Sequence, residues 1–143
     1  IGDFDYNDVV FDAYVYIGND NKTYLDITIL AAGGTKPIYV AGEEIHNLLG
    51  ISTSTMANTR SGTANVDAVK FTVKVSDEKL TYFDFNSIEV KTDDNVLTAN
   101  RGAAPEKILV PTTFDWCDER ININSQYPNF SRYVSSGFEN WWK

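Results

Sequence analysis

The chain has 143 residues, 43% of them hydrophobic and 13% aromatic, which supports a packed core and argues against disorder. Lys and Arg total 12 against 20 Asp and Glu, a formal charge of −8; such a field repels phosphate backbones, so no nucleic-acid partner is expected. One cysteine (Cys117) and one histidine (His46) exclude an internal disulfide and supply too few ligands for an ordinary zinc site, and no apolar run reaches the ~18 residues of a membrane helix.

The first dozen residues carry the most definite chemistry. Asp3, Asp5, Asn7 and Asp8 fall within six positions, just before a strand-like run. Oxygen side chains spaced this closely in a loop can converge on a hard cation such as calcium. Asp and Asn are also turn formers that bond nearby backbone N–H groups, so a purely structural loop is the competing reading. The run is not an EF-hand, because no glycine stands at its sixth position and no glutamate at its twelfth.

Residues 9–17 then alternate, with Val9, Phe11, Ala13, Val15 and Ile17 on one face and Val10, Asp12, Tyr14 and Tyr16 on the other. Residues 18–22 are strong turn formers. Residues 23–32 alternate again, with Leu25, Ile27 and Ile29 opposite Tyr24, Asp26 and Thr28. Two such runs around a short Gly/Asn loop predict a β-hairpin. A short strand is expected at 38–40. A short helix is expected at 43–49, with Glu43 and Glu44 as its solvated first turn, Gly50 past its end, and Ile45, Leu48 and Leu49 facing inward. Glu43 and Glu44 could alternatively be catalytic carboxylates, but the helix start accounts for them more simply.

Residues 51–64 are rich in Ser, Thr, Gly and Asn and predict a long loop, of the kind that is often functional or mobile, with Met56 plugged into the core. A strand at 65–76 would face Val69, Phe71, Val73 and Val75 inward and Lys70, Thr72 and Lys74 outward. A further strand is expected at 87–91, followed by a hairpin turn at 92–95. Another is expected at 106–110, before Pro111. A second helix is expected over 125–136, capped by Ser125, with Pro128 in its first turn, Gly137 after it, and Tyr127, Phe130 and Val134 as its apolar stripe. Strand follows strand without βαβ alternation. The expected fold is therefore mainly β, an antiparallel β-sandwich with two short helices, in a single domain spanning 1–143. Because the chain begins inside its most distinctive motif, we expect it to be a fragment of a longer protein.

The run Asp3-Phe4-Asp5-Tyr6-Asn7-Asp8-Val9-Val10-Phe11 resembles the DxDxNDhhh signature of the LruC-type domains of Bacteroidetes surface lipoproteins. Glu44-Ile45-His46-Asn47-Leu48-Leu49-Gly50, Gly102-Ala103-Ala104-Pro105-Glu106-Lys107-Ile108, and Glu119-Arg120 with Tyr127-Pro128-Asn129-Phe130 are similar to that family in the same order. One departure is Cys117, where family members often carry a proline after the tryptophan. The resemblance implies a β-rich, exported, cell-surface domain, anchored at the outer membrane through an upstream region. It implies no established activity.

Three functions follow as expectations. The first is a non-enzymatic surface module for adhesion or for contact with a glycan or surface protein. Its acidic loop binds Ca2+ through Asp3, Asp5, Asn7 and Asp8, and backbone carbonyls, water or a distant acid such as Asp84 or Asp115 complete the shell. In the second, the loop is purely structural. The third is a lectin-like carbohydrate-binding module in which Trp116, Trp141 or Trp142 stacks on sugars, set against a reading of the Trp141-Trp142 pair as a clamp over the core. An enzyme built on paired carboxylates has no specific support, because 20 acidic residues make chance pairs inevitable. A Cys117–His46 catalytic pair has no local support either.

Overall fold

The computed structural model describes residues 8–59, 63–93, 95–97, 107, 127–130 and 134. Its elements are β1 (Val10–Ile17), β2 (Thr23–Ala31), β3 (Ile38–Val40), β4 (Glu43–Glu44), α1 (Ile45–Leu49), β5 (Val69–Ser76), a 3-10 turn (Phe85–Ser87) and β6 (Val90–Thr92). They form two antiparallel sheets, ordered β1-β2-β5 and β4-β3-β6. The mainly-β, antiparallel architecture expected from the alternating runs is the one observed.

Period-two patterning decides the first sheet. Along β2, Thr23, Leu25, Ile27, Ile29 and Ala31 are buried, while Tyr24, Asp26, Thr28 and Leu30 alternate with them on the other side. The hairpin closes through Gly18 and Asn21, the latter with φ 61°, and Gly18 N–H donates to the Lys22 carbonyl at 2.9 Å. Asn residues tolerate the left-handed conformation because their short polar side chains bond locally. Two bulges interrupt the ladders, one between Val10 and Phe11 and one between Thr23 and Tyr24. At the first, the register moves from Val10 opposite Ala31 to Phe11 opposite Ile29. Leu30 is thus the extra residue, and its carbonyl accepts instead from Asn58 Nδ2 at 2.9 Å.

The second sheet corrects the expectation for 43–49. Ala41 and Gly42 have φ 49° and 90°, the two positive values of a type I′ turn. That turn folds β4 back onto β3, with Tyr39 opposite Glu44 and Val40 opposite Glu43. The helix is only Ile45–Leu49, and Glu44 is its N-cap. Gly50 caps its far end at φ 72°. Ile45 and Leu49 are buried as expected, Leu48 is half-buried against the core, and His46 is buried as well.

One hydrophobic cluster joins both sheets and the helix, through Leu25, Ile27 and Ile29, through Ile38, Val40 and Val90, and through Ile45 and Leu49. Residues 51–59 contain no strand or helix but are pinned. Ala32 and Ala57 exchange backbone hydrogen bonds of 3.0 and 2.8 Å, and Ala57 rather than Met56 enters the core. Residues 65–68 lie outside β5, which keeps the expected inward valines and Phe71. The strand expected at 87–91 is shorter and later, because Asp84 caps the 3-10 turn ahead of it. The turn at 92–95 closes with Thr92 N–H donating to the Asn95 carbonyl at 2.8 Å. The expected strand at 106–110 and helix at 125–136 lie outside the described residues, apart from Lys107, Phe130, which is helical and buried, its neighbours 127–129, and Val134.

Candidate functional site

Asp8 is the part of the acidic loop that the structure describes; Asp3, Asp5 and Asn7 lie outside the described residues. Asp8 precedes β1, and its carbonyl accepts from Gly33 N–H at 3.2 Å, which extends the β1–β2 pairing beyond the bulge. Its carboxylate lies against Gly34. A Cβ on Gly34 would stand 3.3 Å from Asp8 Oδ1, closer than side chains ordinarily pack. A side chain at position 34 would require the Asp8 carboxylate to shift by a few tenths of an ångström.

Gly34 is held in turn from beneath. His46 is 0% exposed and its Nε2 lies 2.9 Å from the Gly34 carbonyl. A carbonyl only accepts, so Nε2 is the donor. His46 Nδ1 lies 3.0 Å from Glu44 Oε2, which also accepts from Ile38 N–H at 3.1 Å. Glu44 Oε1 accepts from Asn47 N–H at 2.9 Å and so caps the helix. Burial pushes the Glu44 carboxyl up, but its bonds from His46 and from the Asn47 and Ile38 N–H groups outweigh that and hold it below its ordinary value. The result is a polar relay from β4 and α1 through His46 to the Gly33-Gly34 backbone and the foot of the acidic loop. Its groups are saturated by one another, which suits a brace better than acid–base chemistry.

The donors of the acidic stretch are carboxylates and an amide, all oxygen, which fits a hard cation and not a soft one. Among the described residues no three His, Cys, Asp or Glu side chains cluster in a metal-holding arrangement. Asp84, a candidate distant ligand, is engaged elsewhere: Oδ1 accepts from Asn86 N–H at 3.0 Å as the cap of the 3-10 turn. Asp115, Trp116, Cys117, Trp141 and Trp142 lie outside the described residues.

A second polar surface lies on the outward face of the β1-β2-β5 sheet. The Tyr14 and Tyr16 rings stack at 6.1 Å, and Tyr16 stacks on Tyr24 across the strands at 5.7 Å. Alternation alone puts these tyrosines outward, but their meeting in one row depends on the register that sets Tyr16 opposite Tyr24. The Tyr24 hydroxyl donates to Asp20 Oδ2. That bond and Lys22 N–H hold the Asp20 carboxyl below its ordinary value, and the same bond raises Tyr24. A shallow groove of about 390 Å³ elsewhere is lined by Tyr39, Gly42, Lys91, Thr92 and Asp93. Lys91 Nζ already sits 5.8 Å from the Tyr39 ring centre, so that ring is partnered.

No family model, curated protein or solved structure matches this chain. Among the described residues, no helix is long and apolar enough to cross a membrane. The functional reading therefore rests on the residues and their geometry.

Proposed function

We propose that this chain is a non-enzymatic domain of an exported, cell-surface bacterial protein of the LruC-like kind. Its loop of Asp3, Asp5, Asn7 and Asp8 binds calcium, and the ion braces the entry to β1 while the rest of the surface is left to a glycan or protein partner. The observation that carries the reading is the seat of Asp8. Its carbonyl is fixed by Gly33, its carboxylate rests on Gly34, and Gly34 is fastened from below by buried His46. A cation loop gains affinity when its ligands are pre-positioned, because less ordering is needed on binding. The saturated Glu44–His46 relay supports a role in holding the loop, not in catalysis.

Calorimetric titration of chelator-treated protein with calcium chloride tests this. A single binding event is expected, with a melting temperature that falls in chelator and recovers with calcium. Asp5→Asn should weaken the binding and should cost more stability in calcium than in chelator. No heat of binding, together with a melting temperature indifferent to chelator, would sink the calcium reading. A loss from Asp5→Asn that is equal in calcium and in chelator would show the loop to be a structural turn.

A further inference from the structure

We propose that the row of Tyr14, Tyr16 and Tyr24 on the outward face of the β1-β2-β5 sheet is a docking platform for a neutral oligosaccharide. The inference rests on reading the domain as a non-catalytic binding module, and it does not require calcium. Across the strands the face runs in three rows: Asp12, Thr28, Lys70; then Tyr14, Asp26, Thr72; then Tyr16, Tyr24, Lys74. None of these nine side chains is aliphatic; Val10 and Leu30 lie beyond the Asp12 row, at the bulge, and are half-buried. A protein-binding patch wants an apolar centre that can be fully desolvated, whereas this face offers aromatic rings set among hydroxyls.

Charge narrows the occupant further. Lys70 Nζ lies 3.9 Å from Asp26 Oδ2, and Lys74 Nζ lies 2.6 Å from Asp77 Oδ1. Asp26 Oδ1 also accepts from the Thr72 hydroxyl at 2.6 Å. Each lysine of the face already meets a carboxylate, so a phosphate, sulfate or uronate gains little here, and the net charge of −8 opposes it. A sugar ring matches what remains. Its weakly positive C–H face suits the negative face of an aromatic ring, and its hydroxyls suit the phenols, Thr28 and Asp26, which donate and accept between them.

The row is also set in advance. Tyr24 is anchored through its hydroxyl to Asp20, and Gly18 leaves room for its ring, since a Cβ there would lie 2.7 Å from Tyr24 Cε2. Tyr16 stacks between Tyr24 and Tyr14. Tyr14 ends the row 67% exposed, opposite Asp26 rather than another aromatic. Cross-strand packing accounts for Tyr16 and Tyr24 but not for an open tyrosine at the end. Fixed aromatics lose little entropy when they bind, and binding surfaces use tyrosine for that reason.

The test is isothermal titration of the whole chain with cellohexaose, laminarihexaose, xylohexaose and mannohexaose, each in calcium and in chelator. At least one should bind, with an affinity indifferent to sodium chloride. Tyr14→Ala should weaken it about ten-fold or more without moving the melting temperature, and Tyr14→Phe should retain most of the affinity. The proposal is overturned if none of the four binds, or if binding is equal in wild type, Tyr14→Ala and Tyr16→Ala. It is also overturned if sedimentation shows the face to be a self-association surface, with a dimer that Tyr14→Ala dissolves. Calcium heats measured on the same protein separate failure here from failure of the calcium reading.

Discussion

Glu44 serves three partners with one carboxylate: it caps α1 through Asn47, receives Ile38 N–H, and faces His46 Nδ1. Little of this is legible locally. Glu43 and Glu44 look like the solvated first turn of a helix, because acidic residues before an apolar i, i+3, i+4 pattern ordinarily are. What overrides that pattern is the turn before them. Ala41-Gly42 is not the Asn-Gly signature of a type I′ turn, yet both residues adopt positive φ. The linkage has a definite sign. The folded carboxyl sits below its ordinary value, so its stabilisation is fully present above the usual glutamate pKa of ~4.3 and is lost as pH falls through the folded value. Glu44→Gln should therefore cost about 1–3 kcal/mol at neutral pH. In thermal melts carried from neutral to acid pH, the gap between variant and wild type should narrow. A gap that stays constant with pH would contradict this account.

At the scale of elements, Asn58 decides how an apparently free loop becomes part of the fold. Its Nδ2 donates to the carbonyls of Leu30 and Val66 at 2.9 and 2.8 Å, and its Oδ1 accepts from Val66 N–H at 3.0 Å. It thus ties residues 51–59 to the bulge of β2 and to the approach to β5. The composition of 51–64 predicts a mobile loop, because Ser, Thr and Gly carry no long-range information. The contacts that fix it lie 8 and 28 residues away. For the same reason hydropathy alone points to Met56 for the core, whereas the structure buries Ala57, paired with Ala32. Asn58 also holds φ 61°. Asn58→Ala loses three hydrogen bonds, each worth about 1 kcal/mol net, and puts alanine, which lacks the polar side chain that lets Asn tolerate the left-handed conformation, where that conformation costs about 1–2 kcal/mol. A loss of about 4–5 kcal/mol in urea unfolding is expected from those two contributions. Asn58→Gly should recover about 1 kcal/mol of it, because glycine accepts the backbone angle but not the bonds. Equal losses for the two variants would assign Asn58 to its side chain alone.

For the whole molecule, the mainly-β class was legible because period-two alternation is a property of each strand by itself. The order β1-β2-β5 was not, since β5 reaches β2 across 37 intervening residues between Ala31 and Val69, and alternation does not say which edge it joins. The candidate site divides the same way. Clustered oxygens mark the acidic loop in the sequence, whereas the His46 relay beneath it and the tyrosine row require pairing register. The charge of −8 adds a confounder, because any salt relieves self-repulsion by screening. Bound calcium should exceed that general effect. A ligand at a hundred-fold excess over its Kd adds about 2.7 kcal/mol, or roughly 5–10 °C for a chain of this size. Magnesium demands a tighter octahedral shell and parts reluctantly with its water. Melting curves at matched ionic strength should therefore rank calcium chloride above magnesium chloride, with magnesium close to sodium chloride. Identical shifts with all three salts would reduce the acidic loop to one more part of a screened, negative surface. A calcium-specific shift that Asp8→Asn diminishes would locate the effect at the foot of β1.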